Sequence, residues 1–315
     1  MQRRAFLKTI TLAAGGLGAA AKMGGVGTLG AAEVEKGAAT LGPAAKAFKL
    51  RYACELNWLE KELTIPQRLD LFKSHGFTAV EYNGLLQHSM AEVADLRREL
   101  DARGMDMGIF VANPGGWNRA GVVDPQQHPA FIEEIKKTIE YHKVVKNRSV
   151  TTLTGMSLPG VSRSTQRRNC VEGFQKAAEI LAGTELALVV EPLNHIDHPG
   201  FFMTRADELA EVIAQVASPN VKMLYDFYHL QVTQGNVIRD FEQYYDLVGY
   251  VQTGDVPGRK EPGTGETNYR NVFKAVYAKG YRGLVGMEHG FSVPGMEGFL
   301  RCAKAYREAD DFPGA

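Results

Sequence analysis

Four apolar runs in this chain each close on a side chain that carries oxygen: Leu188-Val189-Val190-Glu191, Leu224-Tyr225-Asp226, Tyr250-Val251-Gln252 and Val285-Gly286-Met287-Glu288. An acid or amide ending such a run is expensive to bury without a partner. If the four ends meet, a divalent cation is the usual compensation, because close carboxylates repel until they share a positive charge. The set Glu191, Asp226, Gln252 and Glu288 is all oxygen. It therefore suits one hard ion, Mg²⁺ or Mn²⁺, better than zinc, whose sites usually carry imidazole or thiolate. Open coordination positions would remain for substrate oxygens. Any one of these acids alone is explained as well by capping the following helix or pairing with an arginine; four in phase argue for a shared site.

Such ends converge when they lie on neighbouring parallel strands, at the rim where a (β/α)₈ barrel collects its chemistry. From residue 48 onward short apolar runs alternate with longer amphipathic ones, the pattern of a parallel sheet. Strands are predicted over 49–53, 79–82, 106–111, 149–153, 187–191, 221–226, 247–252 and 284–288. Helices are predicted over 66–74, 90–103, 129–146, 167–182, 205–216, 237–245, 269–279 and 296–307. Thr64-Ile65-Pro66-Gln67 and Thr204 mark helix starts, and Gly76, Gly104, Gly183 and Gly280 mark helix ends. Eight such units fit a single (β/α)₈ TIM barrel. A doubly wound sheet would favour a glycine-rich turn after the first strand, where this chain has Cys54-Glu55-Leu56-Asn57.

The 315 residues include 36 Lys+Arg and 36 Asp+Glu, for a formal net charge of zero. That balance argues against nucleic acid as a partner. With 44% hydrophobic and 23% charged residues the chain is globular in composition rather than disordered. Cys54, Cys170 and Cys302 are too few and too scattered for a disulfide framework or a thiolate zinc cluster. Residues 1–32 resemble a twin-arginine signal, with Arg3-Arg4, then Phe6-Leu7-Lys8, a Gly/Ala-rich stretch and small residues up to Ala31-Ala32. The expected organisation is a signal peptide over 1–32, a linker over 33–46 and the barrel over 47–315, with a periplasmic or exported destination. The apolar stretch over 9–21 is interrupted by Gly15 and Gly16 and falls short of the roughly 20 apolar residues a spanning helix needs, so no stable membrane insertion is expected.

Longer motifs add a family likeness. Glu191-Pro192-Leu193-Asn194-His195, Pro199-Gly200-Phe201, Tyr225-Asp226-Phe227-Tyr228-His229-Leu230-Gln231, Val251-Gln252 and the segment from Pro257 to Tyr269 resemble the xylose-isomerase-like superfamily of sugar isomerases and epimerases. Within it the chain looks most like the hydroxypyruvate isomerases, over nearly its whole length after the signal. The resemblance places the metal ligands on Glu191, Asp226, Gln252 and Glu288, the set already reached from the strand ends. It gives Glu191 and Glu288 a second role as the acid/base pair that moves a proton between neighbouring carbons through an enediolate. Ketose 3-epimerases of the superfamily usually carry histidine where this chain has Gln252, which tilts the likeness toward the isomerase branch.

The same likeness sets His229 against a substrate oxygen. Arg259, in the loop after the seventh strand, has a fork suited to a substrate carboxylate or distal hydroxyls. Glu81, ending the second strand, is expected to orient polar groups in the mouth. His195 lies either behind the ligands or on the surface, and Glu266 either lines the site or caps the helix near Tyr269. Trp58 and Trp117 either wall the pocket or pack. The family usually follows the last glutamate with Tyr-Lys-Pro, whereas Glu288 is followed by His289-Gly290-Phe291, so a carboxylate-binding lysine is absent. The expected reaction is therefore an aldose–ketose type isomerisation of a small molecule: hydroxypyruvate to tartronate semialdehyde, or a related small keto sugar. A ketose 3-epimerase or oxidised-sugar isomerase is the alternative within the architecture. A periplasmic sugar-binding module is the alternative outside enzymology, and intact Glu191 and Glu288 speak against it. Homo-oligomers are common in the superfamily.

Overall fold

The computed structural model describes residues 47–113 and 121–313. The expected signal, the linker up to residue 46 and Trp117 lie outside the described residues. Strands β1 (Arg51–Glu55), β2 (Ala79–Glu81), β3 (Asp106–Met107), β4 (Ser149–Leu153), β5 (Ala187–Glu191), β6 (Val221–Asp226), β7 (Val248–Gln252) and β8 (Leu284–Met287) form one sheet in the order β3-β2-β1-β8-β7-β6-β5-β4. Every ladder is parallel, and β1 pairs with β8. The seam between β3 and β4 is closed just beyond β3: Ala112 N donates to Thr151 O at 2.8 Å and Thr151 N to Phe110 O at 3.0 Å. This is the (β/α)₈ barrel that the alternation predicts.

Helices surround it: α1 (Ile65–Ser74), α2 (Met90–Arg103), α3 (His128–Val145), α4 (Arg163–Leu181), α5 (Ala206–Val216), α6 (Phe227–Thr233), α7 (Val237–Tyr244), α8 (Tyr269–Ala278) and α9 (Gly295–Asp310). None is long and apolar enough to cross a membrane. Their ends follow from local chemistry. Ser89 and Glu92 exchange hydrogen bonds in a capping box that starts α2, and Gly104 ends that helix at φ 60°, where a side chain would be strained. Helix α4 starts four residues earlier than predicted because Ser162 accepts from Thr165 N and caps it there.

Side-chain alternation along the strands organises the interior. Ile109, Val189, Leu224 and Tyr250, with Leu284 packed against them, form an apolar plug inside the barrel. Glu191, Asp226 and Gln252 each stand two residues beyond a plug residue on the same strand, so they share its inward face one layer higher. Register fixes their neighbours: Asp226 lies beside Gln252, and Gln252 beside Gly286. The outward faces join the helices in the main core, where Tyr52, Phe72, Phe174, Tyr225, Phe273 and Tyr306 are among the largest fully buried side chains.

Candidate active site

At the rim above the plug, Glu191 and Asp226 are buried and His229 joins them from α6. Their ligand-type atoms lie within 4.8 Å of one another. His229 Nε2 stands 3.5 Å from Glu191 Oε1 and 3.7 Å from Asp226 Oδ2. Asp226 does two jobs. Its Oδ1 caps α6 by accepting from Tyr228 N at 2.8 Å, while Oδ2 accepts from Arg259 Nη2 at 2.9 Å. The same guanidinium nitrogen donates to Glu288 Oε2 at 2.7 Å, so Arg259 ties the strand-eight acid to the cluster. The capping and arginine-pairing explanations thus hold for Asp226 alongside its place in the cluster.

The short helix α6 was not legible in the sequence, and it is what aims His229. Asn194 N donates to His229 Nδ1 at 3.1 Å, and Asn194 Nδ2 lies 2.8 Å from it. A backbone N–H can only donate, so Nδ1 is the acceptor and the ring proton sits on Nε2, facing the acids. Burial, then the nearby Arg259 charge, pushes this imidazole well below its ordinary value. His229 is therefore a neutral N–H donor toward the site and a poor metal ligand in that tautomer.

Glu81 and Gln252 form the other half. Gln252 Nε2 donates to Glu81 Oε2 at 3.2 Å, which turns the carboxamide oxygen away from Glu81. That oxygen, Gln252 Oε1, is buried and makes no hydrogen bond among the described residues, and the same holds for Glu191 Oε1. Glu81 presses on β8 so closely that a Cβ on Gly286 would stand 1.9 Å from Glu81 Oε1. Burial raises both Glu81 and Glu191 well above the carboxylate range, and the Glu288 charge adds to the rise in each. Arg259 is stabilised as a cation: burial works against its charge, and Glu288, Asp226 and Glu191 more than offset that.

A family pattern described as "Xylose isomerase-like TIM barrel" matches residues 69–305. The chain belongs to the xylose isomerase-like TIM barrel family. Among its relatives, 2-oxo-tetronate isomerase of Cupriavidus necator is 31% identical over 76% of this chain and 92% of its own length. Hydroxypyruvate isomerase of Escherichia coli is 29% identical over 76% of this chain and 93% of its own. A solved structure titled AP endonuclease, family 2, from Brucella melitensis superposes with a TM-score of 0.74 at 28% identity, covering 81% of this chain and 98% of that one.

The donor set of this xylose isomerase-like barrel fits a metal ion. Buried acids stand close together, and Glu191 Oε1, Gln252 Oε1 and Glu81 Oε1 are buried at the rim with no hydrogen bond of their own among the described residues, a situation proteins otherwise avoid. Sequence reasoning missed two members of the rim. Glu55 ends β1 and is held up to about 8 by burial and then by the Glu288 charge. Asn83, two residues past β2, donates from Nδ2 to Glu288 Oε1 at 2.8 Å. Predicting β1 two residues too early hid Glu55, which occupies the same strand-end position as the acids that were found. His195 is exposed, and it is His198 whose ring approaches His229, at 5.5 Å between centroids. Glu266 is exposed, and α8 is capped instead by Asn268. Trp58 packs on His289 and Phe291 and donates to His289 O at 3.0 Å. The His289 imidazole turns to Tyr306 Oη, 2.9 Å away, so it does not take up the role of the missing lysine.

Proposed function

We propose that this chain is a divalent-metal-dependent isomerase that moves a carbonyl between neighbouring carbons of a small keto acid, with hydroxypyruvate and 2-oxo-tetronate as the substrate class. The observation that carries this reading is the pair of buried, unpartnered oxygens, Glu191 Oε1 and Gln252 Oε1, beside Asp226 and the Arg259-bridged Glu288. The names of the two relatives support the reaction class. Glu191, Asp226, Gln252 and Glu288 would hold the ion, Mg²⁺ or Mn²⁺ by the chemistry of oxygen donors. When bound, the ion supplies Lewis-acid polarisation of the substrate carbonyl and offsets charge developing on its oxygens.

The chain's own groups do the rest. Glu191, with Oε1 free of hydrogen bonds, is placed to take a proton from the hydroxyl-bearing carbon. Glu288, oriented by Asn83 and Arg259, is placed to exchange a proton at the adjacent carbon. Positioned proton transfer of this kind typically contributes about 10²–10⁴-fold. His229 presents its Nε2–H to a substrate oxygen, and Arg259 can set its remaining fork against the substrate carboxylate. An assay of hydroxypyruvate, 2-oxo-tetronate and a free ketose in D₂O tests the reading. Turnover of a keto acid with deuterium entering at carbon is expected. Turnover of the ketose alone would move the chain to the epimerases, and no exchange with any of them would remove the isomerase reading. Arg3-Arg4 and the small-residue stretch support export of the folded protein; a chain retained inside the cell despite both arginines would contradict it.

A further inference from the structure

Asp255 is fully buried beyond β7, and its carboxylate bonds within its own loop. Oδ1 accepts from Val256 N at 2.9 Å and Thr267 N at 3.0 Å; Oδ2 accepts from Gly263 N and Gly265 N, both at 2.9 Å. One carboxylate thus gathers four main-chain donors spread over a dozen residues, using charge-assisted bonds stronger than neutral ones. The loop is packed tightly around it: a Cβ on Gly265 would stand 1.8 Å from Val256 O. Arg259 sits at the tip. Its N donates to Asp255 O at 2.7 Å, its O accepts from Gly290 N at 3.1 Å, and its φ of 50° is one that a residue with a side chain adopts only when its surroundings impose it. Glu261 accepts from Ser292 N at 2.8 Å and also from Ser292 Oγ, fastening this loop to the one after β8 that follows Glu288.

We infer that Asp255 is a positioning residue: by folding the 255–267 loop about its carboxylate it holds the Arg259 guanidinium at the rim acids, and so sets the affinity for a carboxylate-bearing ligand. The inference rests on the reading of Arg259 as the substrate-carboxylate group. It accounts for recognition of a carboxylate where Gly290 and Phe291 stand in place of a lysine-bearing segment. Asp255 touches neither the ligand nor the rim donors, and it acts through Arg259.

The test is calorimetric binding of tartronate, a carboxylate that the proposed reaction does not consume, to the metal-loaded protein. Asp255→Asn and Arg259→Gln are each expected to weaken tartronate at least tenfold while metal content stays at the wild-type level. The double variant is expected to bind no more than twofold weaker than Arg259→Gln alone, a coupling that a general loss of stability would not produce. Wild-type affinity in Asp255→Asn, or losses that multiply in the double variant, would overturn the inference, as would a wild-type protein that binds no tartronate. If Asp255→Asn does not fold, Gly265→Ala distorts the same loop from another residue, and the same coupling with Arg259→Gln is expected; affinity unchanged in it would count against the inference. Hydrogen exchange on the wild type tests the cradle directly, since the Gly263 and Gly265 amides belong to exposed residues and are expected to exchange far more slowly than free amides. Because tartronate binding does not depend on turnover, an inactive wild type that binds it would sink the reaction and leave the role of Asp255 standing.

Discussion

Asp310 at the barrel floor and Glu191 at the rim are comparably buried, at 4% and 5% exposed, yet their oxygens are treated in opposite ways. Asp310 closes the last helix onto the entry to β1. Its Oδ2 accepts from Lys49 N at 2.6 Å, and its Oδ1 from Leu50 N at 3.3 Å and Tyr52 Oη at 2.9 Å. Glu191 Oε1 makes no hydrogen bond among the described residues: His229 Nε2 stands off at 3.5 Å, and Asp226 completes the cluster around it. Around the floor the remaining charges are solvated: Arg51, Lys146, Arg148 and Arg282 border a cavity of about 550 Å³ and are exposed. A buried acid whose oxygens are all satisfied holds a fold together, whereas one left unsatisfied among like charges lowers stability unless something else binds there. The difference separates structural from functional acids without reference to any relative.

Five substitutions can break or sharpen that contrast. Glu191→Gln and Glu288→Gln are expected to lower turnover by about 10²–10⁴-fold, the usual worth of a placed proton-transfer group, without lowering the urea midpoint. Asp310→Asn is expected to do the reverse. Losing an acceptor for buried donors costs about 1–3 kcal/mol in urea unfolding, while turnover per folded molecule stays at the wild-type level. A Glu191→Gln protein that unfolds as easily as Asp310→Asn would erase the distinction.

A smaller effect is expected from Glu55→Gln in chelator-treated protein. With Glu55 held near 8 when folded against 4.5 ordinarily, the folded chain keeps a proton that the unfolded chain has released between those values. Stability therefore falls as pH rises through that window, and the isosteric glutamine should flatten the fall in a pH series of thermal melts. The least effect belongs to the floor surface. The Arg51–Asp106 pair is about half exposed on both sides, so Arg51→Ala should change stability by less than about 1 kcal/mol in urea unfolding.

The strands bearing the predicted ligands were the most legible elements. β5 and β6 have the predicted bounds and β7 and β8 differ from theirs by one residue each, because apolar runs ending in a polar residue mark both the strand and its end. Where several local signals competed, the sequence was less clear. β3 leaves regular pairing after Met107, where Gly108 lies so close to the barrel interior that a Cβ would stand 2.6 Å from Tyr250 Oη. Helix α6 has seven residues, too few for an apolar period, and its N-cap, Asp226, is also the last residue of β6, so the start signal was absorbed into the strand. The orientation of Gln252 by Glu81 and the tautomer of His229 depend on contacts between residues far apart in the chain, which no local pattern records.

The shared-ion claim is tested most directly by metal analysis after dialysis against Mg²⁺ or Mn²⁺, comparing the wild type with Asp226→Asn, Glu191→Gln and Asp310→Asn. One ion per chain is expected in the wild type and in Asp310→Asn, with binding weakened at least tenfold in the two rim variants. A wild type that binds no divalent ion, or rim variants that retain it at full affinity, would show that these acids are not gathered around a cation.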